Sequence, residues 1–187
     1  MEIVSVKNMV CHRCIIIVTQ NVEKLNLGLQ KVTLGELIFQ TKISDEQKDQ
    51  VKNILIPFGF EVIDDEKTRI AERIKHIIIN LVHYQKEEIN SNLSDILSSD
   101  LNCVYNYLSG LFSEITGQTI EKYYIAQKIE RVKELLDYDE LTLSEIANSL
   151  NYSSVSYLSN QFKKVAGLPP SAYKLLKYKK RKPLDRL

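Results

Sequence analysis

Cysteine is scarce: the 187 residues hold three, two of them in one Cys-x-x-Cys. That excludes a disulfide-stapled secreted scaffold and makes a thiol or metal role in a reducing compartment the natural use. Long apolar runs are missing as well. The longest, residues 14–18, falls far short of the roughly 18 residues a membrane helix needs. No basic-then-apolar segment with a small-residue cleavage site opens the chain, so a cytoplasmic protein with no membrane partner is expected. Catalytic material is thin. There are three scattered histidines and no glycine-rich phosphate loop, HExxH or serine nucleophile elbow, so no enzyme is expected. What is present, 44% apolar and 26% charged residues, is the composition of a folded chain long enough for one ordinary domain or two small ones.

The net charge of +1 conceals an uneven split. Residues 1–65 carry seven basic and nine acidic side chains, whereas residues 151–187 carry nine basic and one acidic. A basic end can meet nucleic-acid phosphates or an anionic surface, and it can equally be a solvated tail.

Residues 2–10 alternate apolar and polar and read as a strand. Residues 13–27 place Cys14, Ile15, Ile17, Val18, Val22 and Leu25 at helical spacing, with Gly28 available to close the helix. Residues 29–41 suggest a hairpin about Gly35, and residues 45–58 a helix capped by Ser44 or Asp45 and ended by Gly59 before a short strand at 60–63. The order β-α-β-β-α-β predicts a ferredoxin-like sandwich. Beyond residue 65 only helical patterns occur, the first at 67–84. His76 and His83 fall on nearly one face of that helix but about 10 Å apart along its axis, too far to share a metal ion, and read as structural or solvent-facing. The expected fold class is α+β, a small N-terminal sandwich (1–65), a connecting helix and linker (66–91) and an all-α domain (92–187).

That all-α domain contains a repeat. Tyr107-Leu108-Ser109-x-x-Phe112-x-x-x-x-Gly117 returns 50 residues later as Tyr157-Leu158-Ser159-x-x-Phe162-x-x-x-x-Gly167, and Leu93-Ser94-Asp95-Ile96 matches Leu143-Ser144-Glu145-Ile146 at the same offset. Two blocks at one offset mark a duplicated unit. Each copy reads as a short helix, a turn and a longer helix, the second opening on the capping box from Thr142 to Glu145. In its longer helix Val155, Leu158, Phe162 and Val165 form the inner face, leaving Ser156, Ser159, Asn160, Lys163 and Lys164 outward. Hydroxyls and amides can reach base edges while lysines neutralise phosphates, the division of labour of a recognition helix. A helix over 119–137 joins the copies and would hold two such helices about one DNA turn apart.

Residues 92–178 resemble the DNA-binding domain of the AraC/XylS family of bacterial transcription regulators, two helix-turn-helix units joined by a long helix, most specifically over 128–176. The resemblance implies double-stranded DNA as partner, with RNA polymerase a further one. It implies base-contacting roles for Ser154, Ser156, Ser159 and Asn160 in the second unit and for Asn106 and Ser109 in the first, and phosphate contacts for Lys163 and Lys164. Two departures stand out. Asn151 follows Leu150 where the family turn has glycine, and residues 92–118 contain Asp95, Asp100 and Glu114 but no lysine or arginine, with Gly110 in an outward slot.

Met9-Val10-Cys11-His12-Arg13-Cys14 and Phe58-Gly59-Phe60-Glu61-Val62 make residues 1–65 resemble the heavy-metal-associated (HMA) domain of copper chaperones and metal-transporting ATPases, with a shortened hairpin. Two thiols at a helix start suit a soft ion, Cu(I) or Zn(II), with pKa values expected to be lowered by the helix terminus and Arg13, and His12 or a second chain completing zinc. Three readings of Cys11 and Cys14 stay open: metal ligands, a redox-sensing dithiol, or a fold kept without metal. A thioredoxin-like oxidoreductase fits the element order poorly. The expected function is a DNA-binding transcription regulator responsive to a soft metal or thiol redox state. The alternative is a metal chaperone or protein-interaction module with a helical appendage.

Overall fold

Val4 and Val6 of β1 (Glu2–Lys7) are buried two residues apart, the period by which a strand turns one side to a core, and Ser5 between them is buried as well. The computed structural model describes residues 1–85, 91–176 and 181–187 and divides into two units, Met1–His76 and Ile77–Leu187.

In the first unit β1 is followed by α1 (His12–Val22), β2 (Leu29–Thr33), β3 (Glu36–Phe39), α2 (Asp45–Leu55) and β4 (Glu61–Ile63). The sheet order is β2-β3-β1-β4 with every neighbouring pair antiparallel. Val18 and Val22 of α1 and Val51 and Leu55 of α2 share one core with Val4, Val6, Leu37 and Phe39 of the strands. Helix α1 ends sooner than its apolar pattern suggests. A 3-10 turn over Glu23–Leu25 follows, and Asn26 takes the left-handed conformation (φ 51°, ψ 39°) expected of Gly28. Ser44 caps α2 in a two-way box with Gln47, and Gly59 ends the 3-10 turn after it at φ 81°.

Helix α3 (Glu66–Ile79) begins in this unit. Arg73 pairs with Glu36 at 3.4 Å, and the His76 ring lies against Gly35, whose φ of +84° makes the hairpin turn. His76 is therefore a packing residue and not solvent-facing.

The second unit opens with the end of α3 and a π-helical turn, Asn80–Tyr84. Helices α4 (Leu93–Leu101), α5 (Tyr105–Thr116), α6 (Ile120–Tyr138), α7 (Leu143–Ser149), α8 (Val155–Ala166) and α9 (Pro170–Lys174) follow. The starting Pro169-Pro170 pair and the apolar residues after it predict a last helix through residue 178; α9 ends at Lys174 with Leu175 as its C-cap, and residues 177–178 lie outside the described residues. The repeat persists in the packing. Phe112 of α5 meets Tyr123 of α6 with ring centroids 5.7 Å apart, and Phe162 of α8 meets Tyr173 of α9 at 5.5 Å, the same pair 50 residues on. Ile129, Val132 and Leu136 of α6 enter the core of α7, α8 and α9. His83 is buried as well, 3.0 Å from the Gln127 Oε1. None of the described helices is long and apolar enough to cross a membrane.

Candidate nucleic-acid interface

The geometry of α8 starts from its caps. The Ser154 hydroxyl oxygen accepts the Tyr157 N–H at 3.1 Å, and Gly167 closes the helix at φ 82° with its N–H donated to the Lys163 carbonyl. Ser154 thus spends an acceptor on the helix while its own proton remains available for an external oxygen. Leu158 and Phe162 are completely buried, which fixes the rotation of α8 about its axis. Ser156, Tyr157, Asn160, Lys163 and Lys164 face outward, with Ser159 half-buried beside them. Val165 differs from the inward position its spacing suggests: it is 48% exposed, and Ala166 beside it packs against the core instead.

The turn that aims α8 is held from three sides. Asn151 adopts φ 52°, doing the work of the family glycine. The Tyr152 hydroxyl donates to Gln161 Oε1 of α8 at 2.7 Å. The Lys128 ammonium of α6 sits over the Tyr152 ring at 3.9 Å and the Tyr124 ring at 5.3 Å. Burial pushes the Lys128 pKa down to about 8. Lys128 and Tyr124 escaped sequence reasoning, since nothing in a helical stripe says which lysine lies on an aromatic ring. Tyr107 and Tyr157 escaped it too. The repeat aligns them, but only the structure shows both about half exposed on the outward faces.

In the first helix-turn-helix copy, Asn106 is exposed and Ser109 half-buried, on the face of α5 that corresponds to the outward face of α8. Val104 is the residue before α5 and makes no side-chain cap.

In the N-terminal unit, Cys11 is the N-cap residue of α1 and Cys14 lies in its first turn, their sulfurs 3.4 Å apart. With metal–sulfur bonds of about 2.3 Å, two sulfurs on one ion stand about 3.8 Å apart at a tetrahedral centre and about 4.6 Å apart at a linear one, so the pair is close enough to share an ion once the sulfurs spread. The expected lowering of thiol pKa does not hold for Cys14. Burial pushes that thiol up, and Cys11 beside it adds to the rise. Met9 is wholly buried in the core. Among the described residues no third His, Cys, Asp or Glu gathers with the pair, so His12 does not complete a tetrahedral zinc set.

Residues 97–175 match the family described as Helix-turn-helix domain. The HTH-type transcriptional regulator YtdP of Bacillus subtilis is 26% identical over 142 residues, covering 75% of this chain and 18% of that protein. The xylose operon regulatory protein of Escherichia coli is 25% identical over 134 residues, 71% of this chain and 34% of that protein. The crystal structure of the C-terminal domain of the two-component response regulator yesN from Fusobacterium nucleatum superposes with a TM-score of 0.47 at 29% identity, covering 55% of this chain and 98% of that one. The chain spans about a third or less of the length of these curated relatives, both of which are named as regulators. Helix order, capped turns and family match agree that residues 97–175 form a helix-turn-helix domain.

Proposed function

We propose that the chain is a sequence-specific DNA-binding transcription regulator that reads the major groove with α8, with RNA polymerase a further partner. The observation that carries this reading is the outward face of α8: Ser156 and Asn160 beside Lys163 and Lys164, on a helix whose rotation is fixed by buried Leu158 and Phe162. Side-chain amide and hydroxyl groups suit base edges, and the two ammonium groups suit phosphates on either side. The test uses a duplex selected by the wild-type chain from a random-sequence library, with a scrambled duplex beside it. Asn160→Ala should lose about 1–3 kcal/mol on the selected duplex and little on the scrambled one. Lys163→Ala and Lys164→Ala should each weaken both and reduce the salt slope by about 0.9. Equal losses on both duplexes for Asn160→Ala would remove it from base reading.

We read the N-terminal unit as an HMA-like, ferredoxin-like sandwich, a reading supported by its β-α-β-β-α-β order and β2-β3-β1-β4 sheet. Cys11 and Cys14 are its candidate ligands for Cu(I), a soft ion content with two sulfurs, or for Zn(II) if a second chain supplies the rest. The same pair can serve as a redox-sensing dithiol. An anaerobic competition titration of the reduced chain should show one-to-one Cu(I) binding that Cys11→Ser abolishes. Binding unchanged in that variant would leave the module a docking or structural domain.

A further inference from the structure

Helices α5 and α8 are one element written twice, and their exposed faces coincide position by position. Asn106, Tyr107, Gly110 and Glu114 are exposed on α5 as Ser156, Tyr157, Asn160 and Lys164 are on α8, and Ser109 is half-buried as Ser159 is. Ser113 is half-buried where Lys163 is exposed, and the N-cap backbones differ (φ −67° at Val104, −164° at Ser154), but over the rest of the outward face burial matches and the difference lies in chemistry. Val104 stands where Ser154 caps α8; it is 74% exposed and offers no side-chain cap. Gly110 takes the place of Asn160, with open space where a Cβ would be. Ser113 and Glu114 take the places of Lys163 and Lys164.

Three of these residues are also poor choices for α5 as a helix. An uncapped N-terminus leaves amide groups without a side-chain acceptor. Glycine inside a helix lowers its propensity, and a carboxylate in the last turn opposes the helix dipole. Packing does not explain them, since Val104, Gly110 and Glu114 are all exposed. Their shared property is that each deletes a function α8 possesses: an N-cap hydroxyl, a base-reading amide and a phosphate-neutralising cation.

We infer that α5 is a silenced copy of the reading helix, switched off by Val104, Gly110, Ser113 and Glu114 and not by its place in the fold, so that each chain reads a single major-groove segment through α8. This rests on the proposed DNA-binding function. Nothing replaces the lost contacts. Glu114 repels the phosphates that Lys164 attracts, and Gly110 presents no donor or acceptor beyond the helix backbone.

The test grafts the chemistry of α8 onto α5 in the full chain: Val104→Ser, Gly110→Asn, Ser113→Lys and Glu114→Lys together. The first two changes favour the helix, and circular dichroism with thermal melting checks that the variant folds. On the selected duplex, flanked by random sequence, the graft should raise the salt slope by about 2, tighten low-salt binding about tenfold and extend hydroxyl-radical protection from one major-groove segment to two. In the wild-type background, Asn106→Ala and Ser109→Ala should leave affinity within about twofold. A folded graft with unchanged slope and footprint would overturn the inference, because α5 would then not face DNA at all. Loss of affinity in Asn106→Ala or Ser109→Ala would overturn it in the opposite sense, because α5 would already be reading. A different failure, wild-type binding insensitive to Lys163 and Lys164, would remove the DNA-reading role of α8 itself and the inference with it.

Discussion

His76 shows how one side chain ties a turn to an acid sensitivity. A Cβ on Gly35 would come within 1.9 Å of the imidazole, so ring and turn exclude any larger residue at position 35. Burial, with the Lys75 charge in support, pushes the His76 pKa from its ordinary 6.5 down to about 4. Between those two values the unfolded chain binds a proton that the folded one refuses. Stability is therefore full above about pH 6.5 and is lost as pH falls toward about 4, by on the order of 3 kcal/mol at most. His76→Gln should flatten that part of the pH–stability curve, read by urea unfolding near about pH 4.5 and about pH 7. An unchanged slope would shift the effect to His83, whose pKa burial also lowers.

Among the elements, α7 depends strongly on its ends, having only seven residues. The Thr142 hydroxyl oxygen accepts the Glu145 N–H at 3.3 Å, while the Glu145 carboxylate accepts the Thr142 N–H at 2.7 Å. Thr142→Ala should cost about 1 kcal/mol in chemical unfolding and weaken DNA binding less than Asn160→Ala does. No measurable loss of stability would mean that packing of Ile146 and Ala147 alone holds α7. This cap was legible in the sequence, as were a cap at Ser44 or Asp45, the repeat at 50 residues and the inward Leu158 and Phe162, because each is a local pattern of spacing or composition. The stop of α1 at Val22 was not, since a 3-10 turn and Asn26 compete with a continuing apolar stripe. Nor was the outward place of Val165 or the raised Cys14 thiol. Both depend on where a neighbouring surface ends, which spacing along one helix does not encode.

At the scale of the whole molecule, the basic C-terminal end is tied down over the part that is described. Residues 177–180 of the basic stretch 177–182 lie outside the described residues, but the rest is tied to α6. Arg181 pairs with Glu134 at 3.3 Å, the Lys182 N–H donates to Glu130 Oε2 at 3.0 Å, and Gln127 donates to the Leu184 carbonyl at 3.2 Å. Glu130 is itself buried and bonded to Lys133 at 2.6 Å, so deleting residues 181–187 strips a partner from a desolvated carboxylate. The deletion should lower the stability of the second unit by about 1–3 kcal/mol, measured by thermal melting, and change low-salt DNA affinity only modestly. A large affinity loss with unchanged melting would restore the free-tail reading. The long helix α6 carries a wider consequence. It lends Tyr123 to Phe112 on one side and Ile129, Val132 and Leu136 to the other core, so neither helix-turn-helix can lose its packing without loosening a wall of its neighbour. The pair should open and close as one foldon, and damage far from DNA in the silent half should lower the protection of amides in the reading half.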